Sequence, residues 1–505
     1  MIPDGYRQKV LGCWMGKNIG GTLGAPMEWF RQVNNVEFYQ QELGGEPLPN
    51  DDLDIQLLWL IAMEEQGLDI DALTLGDYWA SFVTPHWAEY GNAKINMRSG
   101  LVPPLSGALN NVYKDSCGCF IRAEIWACLC PGNPLLAAKY ALQDGMIDHG
   151  LDTEGAYSAA FVAAMEAAAF VVSDVHQLLD IGLSYVPEDC AVAGAIHAAR
   201  AAYKSGKTWL QARDDVLRSF AGSSYACLPS RTSLEDHAKG FGEGQLGWDV
   251  PSNMGILAIG LLYGEGDFDK TLCIAVNCGE DTDCTGATVG AMFGILRGID
   301  AIPARWIEPI GHGIKTLAIN LGDLQGKVPE TIENLTDRVA ALALRMSLDP
   351  RKGVSLACAS VDPQSLYGAA YVSELYRNAD GPTYKLGLVD VHVGYPYGPY
   401  ARKGEPTRVV VTLRNAYRLQ CRARVELLLP PGWRCEPSPN MQAFLSISLW
   451  GQNEATLSVD LTYEGENLPA VSRMAGVVAL DGRANAQAFP VLLLGDELTR
   501  PYSNQ

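Results

Sequence analysis

Long apolar runs are scarce in this 505-residue chain. The two longest, Ala159 to Val172 around Glu166 and Met254 to Tyr263, are shorter or more interrupted than the roughly 20 residues that a membrane span requires. A protein that does not enter a membrane is therefore expected. The opening MIPDGYRQKVLGCWMG lacks a basic stretch followed by a sustained apolar segment, so no secretory signal is read and the cytoplasm is the expected compartment. No basic cluster stands out, and a formal charge of −20 argues against wrapping nucleic acid or lying on an anionic membrane. A local basic pocket for a phosphate stays open. Only 19% of residues are charged while 48% are hydrophobic, which excludes a disordered chain. Internal repeats and low-complexity tracts are missing too. Thirteen cysteines are an odd number for a disulfide framework and sit in apolar surroundings, so reduced core thiols are expected. Cys117, Cys119, Cys128 and Cys130 form two C-x-C pairs, a spacing that is not a common zinc pattern.

The length favours two domains. Up to about residue 347, apolar residues recur at three and four between Gly, Pro and Asn breaks, as in Ile55 to Glu65, Leu135 to Gln143, Tyr157 to Val172, Cys190 to Lys204, Ile256 to Leu262, Ala287 to Arg297 and Leu335 to Met346. Residues 1–348 therefore read as an all-α domain, rich in Ala and Gly that let helix backbones approach closely. After Leu348-Asp349-Pro350 the period changes. Residues 349–385 read as a connecting segment, and 386–505 as a β-sandwich with short alternating runs at Thr407 to Arg414, Arg422 to Leu429, Ala443 to Trp450, Ala455 to Tyr463, Ala475 to Leu480 and Ala488 to Leu494. Turn signals such as Pro430-Pro431-Gly432 separate the runs.

Two acidic clusters about 230 residues apart carry the chemistry: Asn50-Asp51-Asp52-Leu53-Asp54, and Glu280-Asp281-Thr282-Asp283 ahead of a Gly/Ala-rich run. Carboxylates packed that densely repel each other unless a hard cation sits between them, and both clusters run straight into apolar sequence that should be buried. Gly286, Gly290 and Gly294 recur every four residues and give the second segment a side-chain-poor stripe. The plain alternative is helix capping, since Asp is favoured at helix N-termini. One cap needs one carboxylate, however, and each turn carries more. A divalent metal site assembled from both ends of one helical domain is the expectation.

Three segments in order resemble the ADP-ribosylglycohydrolase family, over about residues 5–310. Gly16-Lys17-Asn18-Ile19-Gly20-Gly21-Thr22-Leu23-Gly24-Ala25-Pro26-Met27-Glu28 is similar to the family's G-D-A-L-G-A-P-x-E, Asn50-Asp51-Asp52 to its T-D-D, and Gly279-Glu280-Asp281-Thr282-Asp283-Cys284 to its G-G-D-T-D-T. The resemblance implies an orthogonal helical bundle whose cleft holds two Mg2+ ions, with Mn2+ as a substitute, that bind the hydroxyls of a ribose for cleavage at the anomeric carbon. Carried over, Asn50, Asp51, Asp52, Asp281 and Asp283 become metal ligands, Asp52 counts with the catalytic residues, and Glu28 becomes the candidate general acid/base. His149 resembles a Thr-His element before an Ala-rich helix and Arg122 a Met-Arg element, both implied to contact substrate, alongside Asp54.

The departures from that pattern bear on substrate. Asn50 stands for a Thr, Cys284 for the second Thr of the late motif and Gly21 for an Asp, and a thiol is a soft atom unsuited to Mg2+. Asp54 could supply a missing oxygen. The loop expected to cradle a diphosphate reads Tyr113-Lys114-Asp115-Ser116-Cys117-Gly118, poor in glycine and with an added acid, so backbone donors are expected to be sparse. Three functions stay open on these residues: a Mg2+-dependent hydrolase of a ribosyl or furanosyl N- or O-glycosidic bond, a glycosidase acting on a non-nucleotide furanoside, and a non-catalytic binding protein that retains the fold. The partner is accordingly a small-molecule or sugar-conjugate substrate. The Pro431-Gly432-Trp433 turn is similar to those of Ig-like accessory domains of glycosidases, which points the sandwich towards carbohydrate or towards homo-oligomer formation.

Overall fold

The computed structural model describes residues 2–220, 232–241, 248–359, 361–417, 419–447 and 453–495. Two compact units divide the chain: Met1–Lys94 with Ser106–Tyr376, and Ile95–Leu105 with Arg377–Gln505. The border at Tyr376 lies inside the segment expected to connect the domains, and the short stretch Ile95–Leu105 is contributed to the second unit by the helical half of the sequence.

The first unit is helical, and two helices organise it. The helix Asp4–Gly24 is buried at every residue from Val10 onward, and Thr282–Arg297 is buried from Thr282 to Ile295, so each is enclosed on all sides as an all-round apolar helix must be. They lie antiparallel with Gly12, Gly16, Gly20 and Gly24 set against Gly294, Gly290, Gly286 and Thr282. A Cβ added to Gly16 would sit 2.0 Å from the carbonyl oxygen of Gly290, one on Gly20 2.0 Å from that of Gly286, and one on Gly294 2.0 Å from that of Gly12. Backbone thus meets backbone over three turns, which only glycine permits. The Thr282 hydroxyl donates to Gly24 O at 2.7 Å and fixes the pair lengthwise. As a result the turn that follows the first helix, Ala25–Met27 with Glu28 after it, stands beside the N-terminus of the second.

The other expected helices are present, most beginning a little before the first periodic residue, while Ala191–Lys204 begins just after Cys190, which caps it. Asp51–Gln66 starts at the cap Asn50, whose Oδ1 accepts from Asp52 N–H at 2.8 Å. Glu154–Ala169 starts at Thr153, whose hydroxyl oxygen accepts from Ala156 N–H at 3.2 Å. Capping residues are polar and break the apolar period, so a period-based reading enters each helix late. Pro134–Gly145, Ala191–Lys204, Val250–Tyr263 and Ile332–Ser347 complete the set expected from sequence. No helix of the described residues is long and apolar enough to cross a membrane.

The described residues of the second unit form ten strands: β1 Thr383–Lys385, β2 Val389–Gly394, β3 Tyr400–Ala401, β4 Pro406–Asn415, β5 Cys421–Leu428, β6 Trp433–Glu436, β7 Asn440–Leu445, β8 Glu454–Tyr463, β9 Val471–Leu480 and β10 Ala486–Gly495. They form two five-stranded sheets, β1-β2-β4-β8-β6 and β3-β10-β9-β5-β7, antiparallel except where β10 meets β3. Alternate residues of β4 and β5, Val409, Val411 and Leu413 with Ala423, Val425 and Leu427, are buried, as expected for sandwich strands. Six strands coincide with the alternating runs read from sequence; residues 448–450 of the run ending at Trp450, and 496–505 of the expected sandwich, lie outside the described residues. The strand β2 escaped the period-two pattern because His392 and Gly394 are buried along with its valines.

The glycine interface makes a direct prediction. Gly290→Ala places a methyl group 2.2 Å from Gly16 O and should destabilise the protein by about 3 kcal/mol or more. Gly5→Ala, on the same helix pair with nothing within 4 Å, should be neutral or stabilise by up to about 1 kcal/mol. Urea denaturation of the two variants measures both, and equal effects would show that the apposition is not tight.

Candidate metal centre

A cavity of about 240 Å3 opens where the two acidic turns meet, lined by Ala25, Glu28, Trp29, Pro49, Asn50, Asp51, Trp87, Ala88, Glu89, Ser116, Cys117, Gly118, Ile121, Trp248, Asp281, Asp283, Cys284 and Leu317. Among the described residues its walls carry five carboxylates and no Lys, Arg or His. Three elements supply four of these acids, and the helix Ala88–Arg98 supplies the fifth, Glu89. The end of the first helix brings Glu28, the first turn of Asp51–Gln66 brings Asp51 with Asp52 behind it, and the first turn of Thr282–Arg297 brings Asp281 and Asp283.

These carboxylates are not spent on capping. Asp281 occupies the N-cap position of its helix, yet its side chain makes no capping hydrogen bond. At the other turn the cap is Asn50, which leaves Asp51 and Asp52 free of that duty. Asp51 accepts from the Tyr90 hydroxyl at 2.8 Å. Asp52 Oδ2, Asp281 Oδ1 and Asp283 Oδ1 are buried with no hydrogen-bond partner, in side chains at most 5% exposed. Buried carboxylate oxygens without donors are costly, and divalent cations are the ligands that such oxygens suit. Ligand atoms of Glu28, Asp281 and Asp283 lie within 4.8 Å of one another, as do those of Asp52, Asp283 and Cys284; the carboxylates of these groups fit a divalent ion such as the sequence implies, and the Cys284 thiol departs from a Mg2+ donor.

The electrostatics tell the same story. Burial, then the neighbouring Asp283, Asp281, Asp51 and Asp52, push Glu28 up to about 11. Burial, then Asp51, pushes Asp283 up to about 6. Burial raises Asp51, and burial raises Asp52 and Asp281 far above the ordinary carboxylate range. A cation among them lowers every one of these values by favouring the charged forms. One built-in counter-charge is present: Lys17 Nζ lies 3.5 Å from Asp52 Oδ2 and 2.7 Å from Glu124 Oε1, and Gln56 Nε2 donates to Glu124 Oε2 at 2.8 Å.

The remaining candidates fall into place differently. Asn50 Oδ1 is taken by its capping bond, and its amide nitrogen faces Asp283 Oδ2 at 3.4 Å; Gly21 makes room for it, since a Cβ there would lie 2.5 Å from Asn50 Nδ2. Asp54 does not line the cavity: its Oδ2 accepts from Leu317 and Ala318 N–H, both at 2.6 Å, and so holds the loop whose Leu317 forms one wall. Burial pushes it up to about 7 against those two bonds. Arg122 is fully buried away from the cavity, donating to Asp144 at 2.9 Å and to both oxygens of Asp148 at 2.6 and 3.1 Å, over the Trp79 ring. His149 is likewise buried behind the wall, its Nδ1 against Lys114 O at 2.8 Å. Glu280 turns outward into a two-pronged pair with Arg31 at 2.5 and 2.8 Å.

Several residues of the site gave no sequence signal. Glu89 lines the cavity and is pushed up to about 8 by burial, then by Asp148. Gly118 exists to admit it, because a Cβ there would lie 2.0 Å from Glu89 Oε1. Trp29, Trp87 and Trp248 form an aromatic wall, with the Trp29 and Trp248 rings edge to face at 5.4 Å. Trp29 adopts φ 67°, a left-handed conformation rare for a bulky residue, and is held there by its N–H donating to Glu280 O at 3.0 Å. In the loop from Tyr113, three amides are engaged: Tyr113 N–H with Asn111 Oδ1 at 3.0 Å, Ser116 N–H with Tyr113 O at 3.0 Å and Cys117 N–H with Trp248 O at 3.1 Å. The C-x-C cysteines do not converge as a zinc site among the described residues.

With this geometry in hand, the family model of the ADP-ribosylglycohydrolases matches residues 2–349. The chain belongs to the ADP-ribosylglycohydrolase family. Among solved structures, one titled "ADP-ribosylglycohydrolase-related protein complex" is similar at 18% identity, over 68% of this chain and 100% of that one, with a TM-score of 0.42. No curated protein matches. Membership of the ADP-ribosylglycohydrolase family makes glycohydrolase chemistry the general expectation for the cavity, which lies within the matched residues.

Divalent ions should therefore stabilise this ADP-ribosylglycohydrolase-family protein. At 100-fold over the dissociation constant, Mg2+ or Mn2+ should add roughly 2.7 kcal/mol, read as a chelator-reversible rise in Tm that Asp281→Asn/Asp283→Asn removes. The metal-free protein should also show an inverted pH response from this site. Asp283 has a folded value near 6 against 3.8 in the unfolded chain, so its contribution is full below about 3.8 and is lost as pH rises through about 6. Stability in chelator, compared between wild type and Asp283→Asn from pH 4 to 7, should fall more steeply for wild type; parallel curves would refute the shift.

Proposed function

We propose that the protein is a divalent-metal-dependent hydrolase of a glycosidic bond at a furanosyl anomeric carbon. The observation that carries this reading is the convergence of Glu28, Asp51, Asp281 and Asp283 on one cavity while buried oxygens of Asp52, Asp281 and Asp283 lack donors. Asp51, Asp52, Asp281 and Asp283 would hold the metal, with Mg2+ or Mn2+ the ions that an oxygen set suits. Such an ion supplies Lewis acidity and an anchor for sugar hydroxyls.

The chain's own residues supply the rest. Glu28, whose carboxyl is pushed up by burial and by its acidic neighbours in the metal-free chain, is placed to give its proton to the leaving group as an oxocarbenium-like centre develops, and its carboxylate can afterwards take one from water. Trp29, Trp87 and Trp248 exclude water from one side and offer flat faces to the sugar or its aglycone. Asp54 fixes the Leu317 wall through two backbone bonds.

One set of observations favours a non-nucleotide furanoside over ADP-ribose. A diphosphate needs converging N–H donors or cations. Among the described residues the cavity wall has no basic side chain, and three amides of the loop from Tyr113 are already bonded. Screening with Mg2+ against aryl furanosides, nucleosides and ADP-ribose conjugates tests both levels of the proposal. Turnover of a neutral furanoside is expected, with ADP-ribose binding weaker by calorimetry; micromolar ADP-ribose binding would overturn the substrate preference. On the active substrate, Glu28→Gln should lower kcat by about 10²- to 10⁴-fold while the Mg2+-dependent rise in Tm persists. Full activity of Glu28→Gln would transfer the proton role to another carboxyl group.

A further inference from the structure

Cys284 lies in the first turn of the helix Thr282–Arg297, lines the cavity and is 6% exposed. Its Sγ stands 3.7 Å from Asp52 Oδ1, and ligand atoms of Asp52, Asp283 and Cys284 lie within 4.8 Å of one another. Around a tetrahedral zinc-type ion, with oxygen at about 2.1 Å and sulfur at about 2.3 Å, two such ligands are separated by about 3.6 Å. A thiol hydrogen bond to Asp52 would account for that one distance. It leaves Asp283 Oδ1 buried without a hydrogen-bond partner, and Asp52 Oδ2 with Lys17 Nζ no nearer than 3.5 Å, and the unpartnered Asp283 oxygen points to a ligand independently of the cysteine.

The chemistry of the three donors differs from that of their neighbours. Asp51, Asp281 and Asp283 offer oxygen alone, which suits hard ions such as Mg2+. Asp52, Asp283 and Cys284 add a soft sulfur, which Mg2+ does not accept and Zn2+ does. Asp283 belongs to both groups. We propose that Cys284, Asp52 and Asp283 form a position selective for a thiophilic divalent ion of the zinc type, next to an all-oxygen position for a hard ion. This rests on the metal-centre reading above and adds to it the choice of ion. Cys284 binds as the thiolate and its proton passes to solvent.

Co2+ serves as the test ion because a cobalt–thiolate bond produces a sulfur-to-metal charge-transfer absorption that oxygen ligands do not. The full chain, kept reduced with a phosphine, is titrated with Co2+ and, separately, with Zn2+ and Mg2+ by calorimetry. The expected result is a near-ultraviolet band with Co2+ at one equivalent, displaced by Zn2+, and absent in Cys284→Ser. Zn2+ affinity should fall in Cys284→Ser by at least the roughly 10- to 100-fold that loss of an outer-shell partner costs, while the Mg2+-induced rise in Tm is retained. A band that persists in Cys284→Ser assigns the sulfur ligand elsewhere and overturns the proposal. Absence of the band in wild type overturns it as well, with a retained Mg2+ response leaving the oxygen site standing. No thermal or calorimetric response to any of the three ions refutes the metal reading beneath it. Cys284→Thr gives a further readout: with an oxygen restored at that place, Zn2+ affinity should drop as in Cys284→Ser and Mg2+ affinity should hold or rise.

Discussion

In the first unit two helix backbones meet directly. Because Gly12, Gly16 and Gly20 meet Gly294, Gly290 and Gly286 with no side chains between them, the last turn of the first helix and the first turn of Thr282–Arg297 cannot slide or separate without opening a gap along their whole length. That constraint fixes Glu28 against Asp281 and Asp283, although more than 250 residues separate them in sequence. It also lets both helices be buried on all sides, so the acids at their ends are delivered into a low-dielectric interior rather than to the surface. The position of the acids is decided by residues that have no chemistry of their own.

Placing so many carboxylates in one interior runs against electrostatics, and the surrounding structure divides them by what answers each charge. Glu280 is answered by Arg31, Asp144 and Asp148 by Arg122, and Asp236 by Arg213. Each of these pairs is buried and well bonded, and each ties a turn or loop near the cavity to its neighbours, the condition under which a buried ion pair holds structure. Glu280 shows how closely such ties bear on the site: its carboxylate is locked by Arg31, its carbonyl accepts from Trp29 and its N–H donates to Phe30 O. Both Trp29 and Glu280 take left-handed backbone conformations at this junction, a strain that the two backbone bonds and the ion pair offset. Lys17 alone is shared among Asp52, Glu124 and the wider acid cluster, and one lysine does not neutralise Asp51, Asp52, Asp281, Asp283 and Glu28 together.

Sequence disclosed the parts that depend on local pattern. Helix and strand periods, the shift from one to the other after Leu348, and the acid-rich turns at Asp51 and Asp281 are all visible because each is written in contiguous residues. What stayed hidden was created by distant apposition. Gly12 to Gly24 repeat every four residues, yet only the opposite stripe at Gly286 to Gly294 gives that spacing a meaning. Glu89 lies in an ordinary-looking helix and enters the site only because Gly118, in another loop, leaves space for its carboxylate. Trp248 and Trp87 belong to the wall through folding alone. Arg122, His149 and Asp54 are the converse case: a linear reading places them with the substrate, while their hydrogen bonds run to Asp144 and Asp148, to Lys114 O, and to the Leu317 and Ala318 amides.

The two substitutions that set this chain apart, Asn50 and Cys284, are linked through the residues they touch. Asn50 uses its oxygen to cap its own helix and turns its amide N–H towards Asp283, so it donates to a carboxylate that would otherwise need a cation on that side. Gly21 is small because the amide occupies the space above it. Cys284 stands across from Asp52, on the far side of the same pair of turns. A hydroxyl at either place would offer a hard oxygen to an ion, whereas an amide nitrogen excludes one and a thiol prefers a softer one. The changes therefore act together: each removes an oxygen from the hard-ion shell, at opposite edges, while the aspartates between them are kept. On the proposed reading, an oxygen shell reduced in that manner would hold a hard ion with fewer side-chain ligands, and the shortfall would come from water or from the hydroxyls of the substrate itself. Substrate and metal would then stabilise each other in the cavity, which would tie ion affinity to the presence of a sugar with correctly placed hydroxyls.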